Sequence, residues 1–327
     1  PIYQTFCFLY NSVMFVTLLL FFAGFYILIN SANFLVDGSS ALARRFNISN
    51  IVIGLIIAGI GTSIPEFAIT FIANLTGDEH IGLGTIIGSN TFNIMVILGV
   101  SAIFFPLSLR PEWVRRDLVW NIGAVLAVLF FALVGGNGVL SQIEGLFMLG
   151  IFAFWLYWVI AKENHAEPPE EESIRILTLP IAFVFILVGL VGVIFGGKWI
   201  VEGAEVIARE LGMSEALLGL TIIGIGTSLP EFAITFTAAF KRQPGIAIGS
   251  IIGSNIFDFL MILGVTSFIK PVAFSSHFFT DILVTLASAI ALFGFMFVGQ
   301  RNVLKRWQGL LFLLFYILYI MYLIRIG

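Results

Sequence analysis

Two stretches decide the fold of this chain: GIGTSIPEFAITF at residues 59–71 and GIGTSLPEFAITF at residues 224–236. Without a gap, residues 59–100 match residues 224–265 at 25 of 42 positions, at a constant offset of 165. Each copy places a proline and a glutamate inside apolar sequence. Because proline lacks an N–H and clashes with the preceding turn, Pro65 and Pro230 each predict a helix break, which releases the carbonyls of Gly61 and Gly226.

The composition around these stretches is that of a membrane protein. Of 327 residues, 59% are hydrophobic and 11% are charged, with a mean hydropathy of +1.07, whereas soluble domains carry roughly 25% charged residues. A membrane-spanning helix needs about 20 apolar residues. The sequence therefore predicts an all-α polytopic membrane protein with ten transmembrane helices, at residues 13–44, 51–76, 81–106, 117–134, 139–161, 176–208, 215–240, 246–269, 278–299 and 303–325.

The two copies are predicted to have opposite orientations. Five spans separate matching elements, and because five is odd the second copy crosses the membrane in the opposite sense. This predicts two five-helix repeats of inverted topology, at residues 1–161 and 176–327. Transporters built in this way hold their substrates near the bilayer midplane, on helices that are broken there. Residues 162–175 between the repeats, which include KENHAEPPEEES, predict an acidic cytoplasmic linker.

Lysines and arginines predict the orientation of the chain. Of the 16 in the sequence, 12 fall on one set of loops. The positive-inside bias places that set in the cytoplasm and both termini outside, for a protein of the plasma or inner membrane. The 12 residues are Arg44, Arg45, Arg110, Arg115, Arg116, Lys162, Arg175, Lys241, Arg242, Arg301, Lys305 and Arg306.

The polar residues beside each break are oxygen donors at spacings that share one helix face. They are Thr62, Ser63 and Glu66 in the first copy, and Thr227, Ser228 and Glu231 in the second. The following span of each half adds Ser89 and Asn93, and Ser254 and Asp258. A charge inside the membrane costs at least about 2.5–3.5 kcal/mol. Neither segment carries a lysine or arginine, so the two glutamates require another partner.

An oxygen-only ligand set is typical of hard cations, calcium above all and also sodium. Each hydroxyl by itself is as well explained by a bond to its own helix, and a lone glutamate by a structural role. The recurrence of the whole set in both halves favours a cation site shared between them. The one cysteine is Cys7, and His80, His165 and His277 fall in predicted loops, which argues against a zinc or copper centre and against an enzyme.

The motifs GTSIPE and GTSLPE, followed by GSNTFN and GSNIFD, resemble the two repeats of the cation/calcium exchanger superfamily, most closely its sodium/calcium exchanger branch. The resemblance covers nearly the whole chain. It implies an antiporter that drives calcium out with sodium by alternating access, as the long first and sixth spans slide past the rest. The implied ion ligands are the ten side chains above together with the backbone carbonyls of Gly59 and Gly224.

The resemblance leaves the coupling ion open. Asn93 is neutral where the second copy has Asp258, and an aspartate here resembles both prokaryotic exchangers and the potassium-dependent branch. Proton coupling is a further alternative, and a cation channel a more distant one. The implied partners are sodium, calcium and the lipid bilayer, with no cofactor, nucleic acid or protein partner. The matched pair Asp37 and Glu202 is expected to cap helices or form pairs near the membrane surface, with a role in ion entrance as the alternative.

Overall fold

The computed structural model describes residues 2–77, 79–134, 138–162, 177–210, 226–274 and 276–326. Ten helical segments cover most of these ranges and are numbered in chain order. The first five are α1 (Ile2–Phe46), α2 (Asn50–Thr62 and Ile64–Thr76), α3 (residues 79–104), α4 (residues 111–134) and α5 (Gln142–Lys162). The second five are α6 (Leu179–Glu210), α7 (Leu229–Phe240), α8 (Pro244–Ile269), α9 (Ser276–Phe295) and α10 (Arg306–Ile326).

These helices confirm the all-α polytopic fold. Within the described residues, eight helices are long and apolar enough to cross a membrane, and the bent α2 makes nine. The predicted seventh span, 215–240, is described only from residue 226, where α7 carries its second part. Apart from Lys162 at the end of α5, the predicted linker at residues 162–175 lies outside the described residues.

Four short strands correct two of the predicted boundaries. They are β1 (Leu107–Ser108), β2 (Val139–Leu140), β3 (Val272–Ala273) and β4 (Val303–Leu304). The spans predicted to begin at residues 139 and 303 instead begin at Gln142 and Arg306, because the residues before them pair as strands. A two-residue strand has no periodicity by which sequence could distinguish it from the end of an apolar span.

The strands tie the two halves together at both ends of the bundle. β1 pairs antiparallel with β4, with Leu107 opposite Leu304, and β2 pairs antiparallel with β3, with Val139 opposite Ala273. β1 and β3 lie at matching positions of the repeat. Because β1 precedes α4 and β2 follows it, the two sheets lie at opposite ends of that helix. Matching segments therefore lie on opposite faces of the bundle, as inverted topology requires. These are called the β1–β4 face and the β2–β3 face below.

The centre of the bundle is formed by the helices that carry the repeated motifs. In α8, 94% of the residues of its apolar window are buried, and in α3 78%, against 17% in α10. Large apolar side chains such as Phe22, Phe147 and Met321 are exposed on the outer helices. Such a surface is suited to lipid tails, whereas the polar residues are collected inside the protein.

The two longest helices pack against each other through glycines. A Cβ at Gly24 would lie 2.9 Å from the carbonyl oxygen of Gly196, and one at Gly189 would lie 2.7 Å from the backbone nitrogen of Leu35. Small residues allow this close backbone approach of α1 and α6. The two helices therefore form a closely packed pair along one side of the bundle.

On the β1–β4 face, α1 is fastened to the segment between α7 and α8. Lys241 Nζ lies 2.6 Å from Asp37 Oδ1 and also donates to the Asn33 carbonyl at 3.2 Å. The Ser40 hydroxyl donates to Gln243 Oε1 at 2.5 Å. Asp37, Ser40, Lys241 and Gln243 are called the latch below. At the position matching Asp37, Glu202 pairs with Lys198 on its own helix at 3.6 Å. Of the capping and pairing predicted for Asp37 and Glu202, the structure thus shows pairing.

Candidate ion-binding site

The repeated proline motif breaks its helix as predicted. The two parts of α2 meet at an angle of 45°, and Ser63 between them has φ −79° and ψ 8°, outside the helical range. Pro65 lies in the first turn of the second part, where its missing N–H is not needed. Ser228 has φ −91° and ψ 6° directly before α7, which contains Pro230 in its first turn. The break is therefore the same in both halves.

Three wide helical turns next to the site were not predicted. Residues Gly54–Gly59 of α2, Asn93–Leu98 of α3 and Phe257–Ile262 of α8 are π-helical. Asn93 opens one of these segments, and Asp258 is the second residue of another. A π turn shifts the side chains that follow it and is frequent at functional sites. Apolar periodicity does not distinguish it from an α turn, so the sequence carried no signal for it.

The structure buries nearly all of the predicted ligands. Thr62, Ser63, Ser228 and Ser254 have no exposed surface, and Glu66, Asn93, Glu231 and Asp258 are each 1% exposed. Ser89 and Gly59 are also buried, and Thr227 is partly buried. Gly224, the predicted carbonyl ligand of the second half, lies outside the described residues.

Contacts between the halves bring these residues together. The Ser254 hydroxyl donates to the Gly59 carbonyl at 3.0 Å. Thr227 lies beside Glu66, and Thr62 lies beside Glu231, so each glutamate has a hydroxyl neighbour from the opposite repeat. The hydroxyl of Thr62 itself donates to the Ala58 carbonyl at 2.9 Å, so its hydrogen is directed away from the carboxylate.

Several oxygens at the centre have no hydrogen-bond partner among the described residues. They are both carboxyl oxygens of Glu66 and of Glu231, Asp258 Oδ1, Asn93 Oδ1 and the hydroxyls of Ser63 and Ser228. Buried polar groups normally have partners, and a buried carboxylate without one is strongly unfavourable. An array of orphaned oxygens therefore fits a cation, which takes oxygen ligands only.

The ionisable groups at the site are all acids. Glu66 lies close enough to Glu231 and Asp258 to interact with both electrostatically. Asp258 likewise interacts with Glu231. Among the described residues, however, no three carboxyl, thiol or imidazole groups come together closely enough to hold a metal ion by themselves. A cation bound here needs the hydroxyl, amide and carbonyl oxygens as well, which is the mixed set that both repeats supply.

A cavity leads from the β2–β3 half of the bundle toward this site. Its volume is about 240 Å³, and its walls come from α2, α6 and α7. Pro65, Ile69 and Pro230 line it, together with Thr227, one of the predicted ligands. The latch lies at the opposite, β1–β4 face. The structure therefore combines a cavity on one side of the site with fastened helices on the other.

Two asparagines at the site were missed by the sequence reasoning. Asn90 Nδ2 donates to Asp258 Oδ2 at 2.8 Å, and Asn93 Nδ2 donates to Asn255 Oδ1 at 3.2 Å. Asn90 and Asn255 are the identical third residues of the two GSN motifs, at the offset of 165. That identity was the available signal, but an asparagine next to a serine ligand gives no indication of a partner on another helix.

Comparison with known proteins agrees with this architecture. The sodium/calcium exchanger protein family matches residues 16–161 and again residues 181–325, so the second match begins at the offset of the internal repeat. An uncharacterized membrane protein of Methanocaldococcus jannaschii, MJ0091, is 34% identical over 90% of this chain and 93% of its own length. The sodium/calcium exchanger MaX1 of Methanosarcina acetivorans is 28% identical over 91% of this chain and 96% of its own.

A solved structure has the same fold. The sodium–calcium exchanger NCX_Mj, soaked with 2.5 mM Na⁺ and 10 mM Sr²⁺, superposes with a TM-score of 0.81 at 32% identity, covering 94% of this chain and 99% of its own. The fold and the shared site thus define a multi-pass membrane exchanger built from two inverted repeats. The chain belongs to the sodium/calcium exchanger family.

Proposed function

We propose that this protein is an antiporter that exchanges sodium for calcium at the site between its two halves. The observation that carries the proposal is the set of orphaned oxygens around Glu66 and Glu231, buried where no described lysine or arginine reaches them. Two carboxylates neutralise one calcium ion, and the same oxygens suit sodium ions once calcium has left. Competition for shared ligands is what couples the two fluxes.

The proposed ligands are the residues that both repeats place at the breaks and on the following helix. Ten are side chains and two are backbone carbonyls: Thr62, Ser63, Glu66, Ser89, Asn93, Thr227, Ser228, Glu231, Ser254 and Asp258, with the carbonyls of Gly59 and Gly224. Because the two halves are inverted, a movement that opens the site to one face of the membrane has a counterpart that opens it to the other face.

In the proposed mechanism, α1 and α6 move together past the remaining helices. Their glycine contacts support movement as one unit, because neither helix can shift without displacing the other's backbone. The β1–β4 face is assigned to the cytoplasm, since its loops carry Arg110, Arg301 and Lys305 among others. Under this assignment the cavity opens outward, the latch holds the cytoplasmic side closed, both termini lie outside, and the acidic linker between residues 1–161 and 176–327 is cytoplasmic.

Transport in proteoliposomes tests the proposal. Vesicles loaded with sodium and diluted into sodium-free buffer are expected to take up calcium-45, and Glu66→Gln and Glu231→Gln are each expected to abolish uptake. Glu112→Gln is the matched control, because Glu112 is an exposed glutamate in the first turn of α4, outside the site and the cavity. Potassium and proton gradients are imposed in parallel. Uptake that ignores sodium and follows the proton gradient would contradict sodium coupling and favour a proton-coupled antiporter.

A further inference from the structure

Asn90 and Asn255 each hold a ligand that belongs to the other half of the protein. Both are fully buried. Asn90 on α3 bonds to Asp258 on α8, and Asn255 on α8 bonds to Asn93 on α3. In each half the asparagine lies three residues before the ligand, about one helical turn away on the same face. The two hydrogen bonds therefore cross between α3 and α8 as a pair related by the repeat.

The bond from Asn90 fixes which oxygen of Asp258 is available. Asn90 Nδ2 donates to the Ile86 carbonyl at 2.7 Å and to Asp258 Oδ2 at 2.8 Å, so both of its amide hydrogens are used. Asp258 Oδ1 has no partner among the described residues. A carboxylate can only accept. The Ser63 hydroxyl also lies beside Asp258, but Asn90 is the donor that reaches it in hydrogen-bond geometry among the described residues. One oxygen of Asp258 is thus held and the other is left for a cation.

The bond to Asn255 fixes the amide of Asn93 in the opposite way. Asn93 Nδ2 donates to Asn255 Oδ1, and Asn93 Oδ1 has no partner in the described part of the chain. If the amide were reversed, its NH₂ group would face the cation and repel it. Asn255 acts as the acceptor that keeps the oxygen of Asn93 directed into the site. The two asparagines thus do the same task with opposite hydrogen-bonding roles.

Both ligands lie in irregular parts of their helices. Asn93 and Asp258 belong to π-helical segments, a rare kind of turn that is frequent at functional sites. We infer that Asn90 and Asn255 are positioning residues of the cation site, each directing one ligand oxygen of the opposite repeat toward the ion. This inference rests on the proposed exchange function and specifies how the site is assembled.

Equilibrium binding of calcium-45 to the purified full-length protein in detergent tests the inference. Asn90→Ala and Asn255→Ala are each expected to weaken calcium binding by about 10–100-fold, the usual effect of removing a residue that orients a metal ligand. Asn30→Ala is the matched control, because its amide bonds only to the Tyr26 carbonyl of its own helix, at 2.7 Å. Thermal unfolding of each variant shows whether it is folded.

Substitution by aspartate separates positioning from a merely structural role. Asn255→Asp keeps an acceptor for Asn93 and is expected to bind calcium more tightly than Asn255→Ala. Asn90→Asp removes the donor and sets a carboxyl group against Asp258, so it is expected to bind no better than Asn90→Ala. Combining Asn90→Asp with Asp258→Asn exchanges the donor and the acceptor of this hydrogen bond. The double variant is expected to recover part of the calcium binding that Asn90→Asp loses.

The outcomes distinguish this inference from the function on which it rests. If the wild-type protein neither binds nor transports calcium, the proposed function is wrong. If the wild-type protein does both, and folded Asn90→Ala and Asn255→Ala bind like it, the positioning role is overturned. Equal effects of aspartate at the two positions would overturn it as well, because the two hydrogen bonds run in opposite directions.

Discussion

The latch on the β1–β4 face makes a specific prediction about the balance between conformations. Lys241→Met removes the ammonium that lies 2.6 Å from Asp37 Oδ1 and keeps most of the length of the side chain. Asp37 belongs to α1, one of the two helices proposed to move. Because the latch fastens α1 on the face opposite the cavity, its loss is expected to favour the conformation that opens toward the β1–β4 face.

The size of the effect follows from the burial of the ion pair. The side chains of Lys241 and Asp37 are 21% and 18% exposed, so the pair is screened less than a surface pair. A hydrogen bond to a charged group contributes about 1.5–3 kcal/mol, and residual solvation of Asp37 reduces the loss on substitution to about 1–2 kcal/mol. If the pair exists in only one conformation, the ratio of the two conformations shifts by about 5–30-fold.

Hydrogen–deuterium exchange on the purified protein measures this shift. Lys241→Met is expected to speed amide exchange at the β1–β4 end of α1, and to slow it around Pro65 and Ile69, where the cavity closes. Lys305→Met is the matched control, since Lys305 lies beside β4 on the same face and forms no ion pair among the described residues. Simple destabilisation would speed exchange at both faces, so opposite changes at the two faces are diagnostic.

Two results would refute the reasoning. Equal exchange profiles for Lys241→Met and Lys305→Met would show that the contact with α1 has no special role. Faster exchange at both faces in Lys241→Met would show that the ion pair stabilises the fold as a whole instead of one conformation.

Two further predictions concern packing. Gly253→Ala would place a Cβ 2.1 Å from the Leu55 carbonyl oxygen, so α2 and α8 must separate; overpacking of this kind costs about 1–3 kcal/mol, and a lower melting temperature with weaker calcium binding is expected. Gly150→Ala, with no described atom of another helix within 4 Å of its Cβ, is the control, and an unchanged melting temperature of Gly253→Ala would contradict the close packing. Thr285→Val removes the 2.6 Å bond between the hydroxyls of Thr91 and Thr285, and Thr285 lies on α9, which carries none of the proposed ligands. It is expected to lower the free energy of unfolding by about 1 kcal/mol without changing calcium affinity, and a large fall in affinity would place Thr285 in the site.

Much of the fold followed from the sequence because the membrane limits the choices. Apolar segments of sufficient length must be helices, and an internal repeat separated by five spans must be inverted. The break at Ser63 followed from Pro65, and the burial of Glu66 and Glu231 followed from their place in apolar sequence. Each of these depends on local sequence, or on the comparison of one half with the other.

The remaining features depend on contacts between the halves. Asp37 was expected to cap a helix or form a pair, but only the fold identifies Lys241, about 200 residues away, as its partner. The pairing of β1 with β4, the π turns at Asn93 and Asp258 and the crossed bonds of Asn90 and Asn255 leave no periodic pattern in the sequence. A repeat indicates which positions are equivalent, and it does not indicate which side chains of the two copies meet.

Calcium binding in the presence of increasing sodium tests the central claim most directly. Purified wild-type protein is expected to bind calcium-45 and to release it as sodium rises, with a curve steep enough to require more than one sodium ion. Glu66→Gln and Glu231→Gln, one from each repeat, are expected to lose binding separately, because each half supplies one of the two charges. Calcium binding that persists in either variant, or that sodium does not displace, would contradict a single site shared by the two halves.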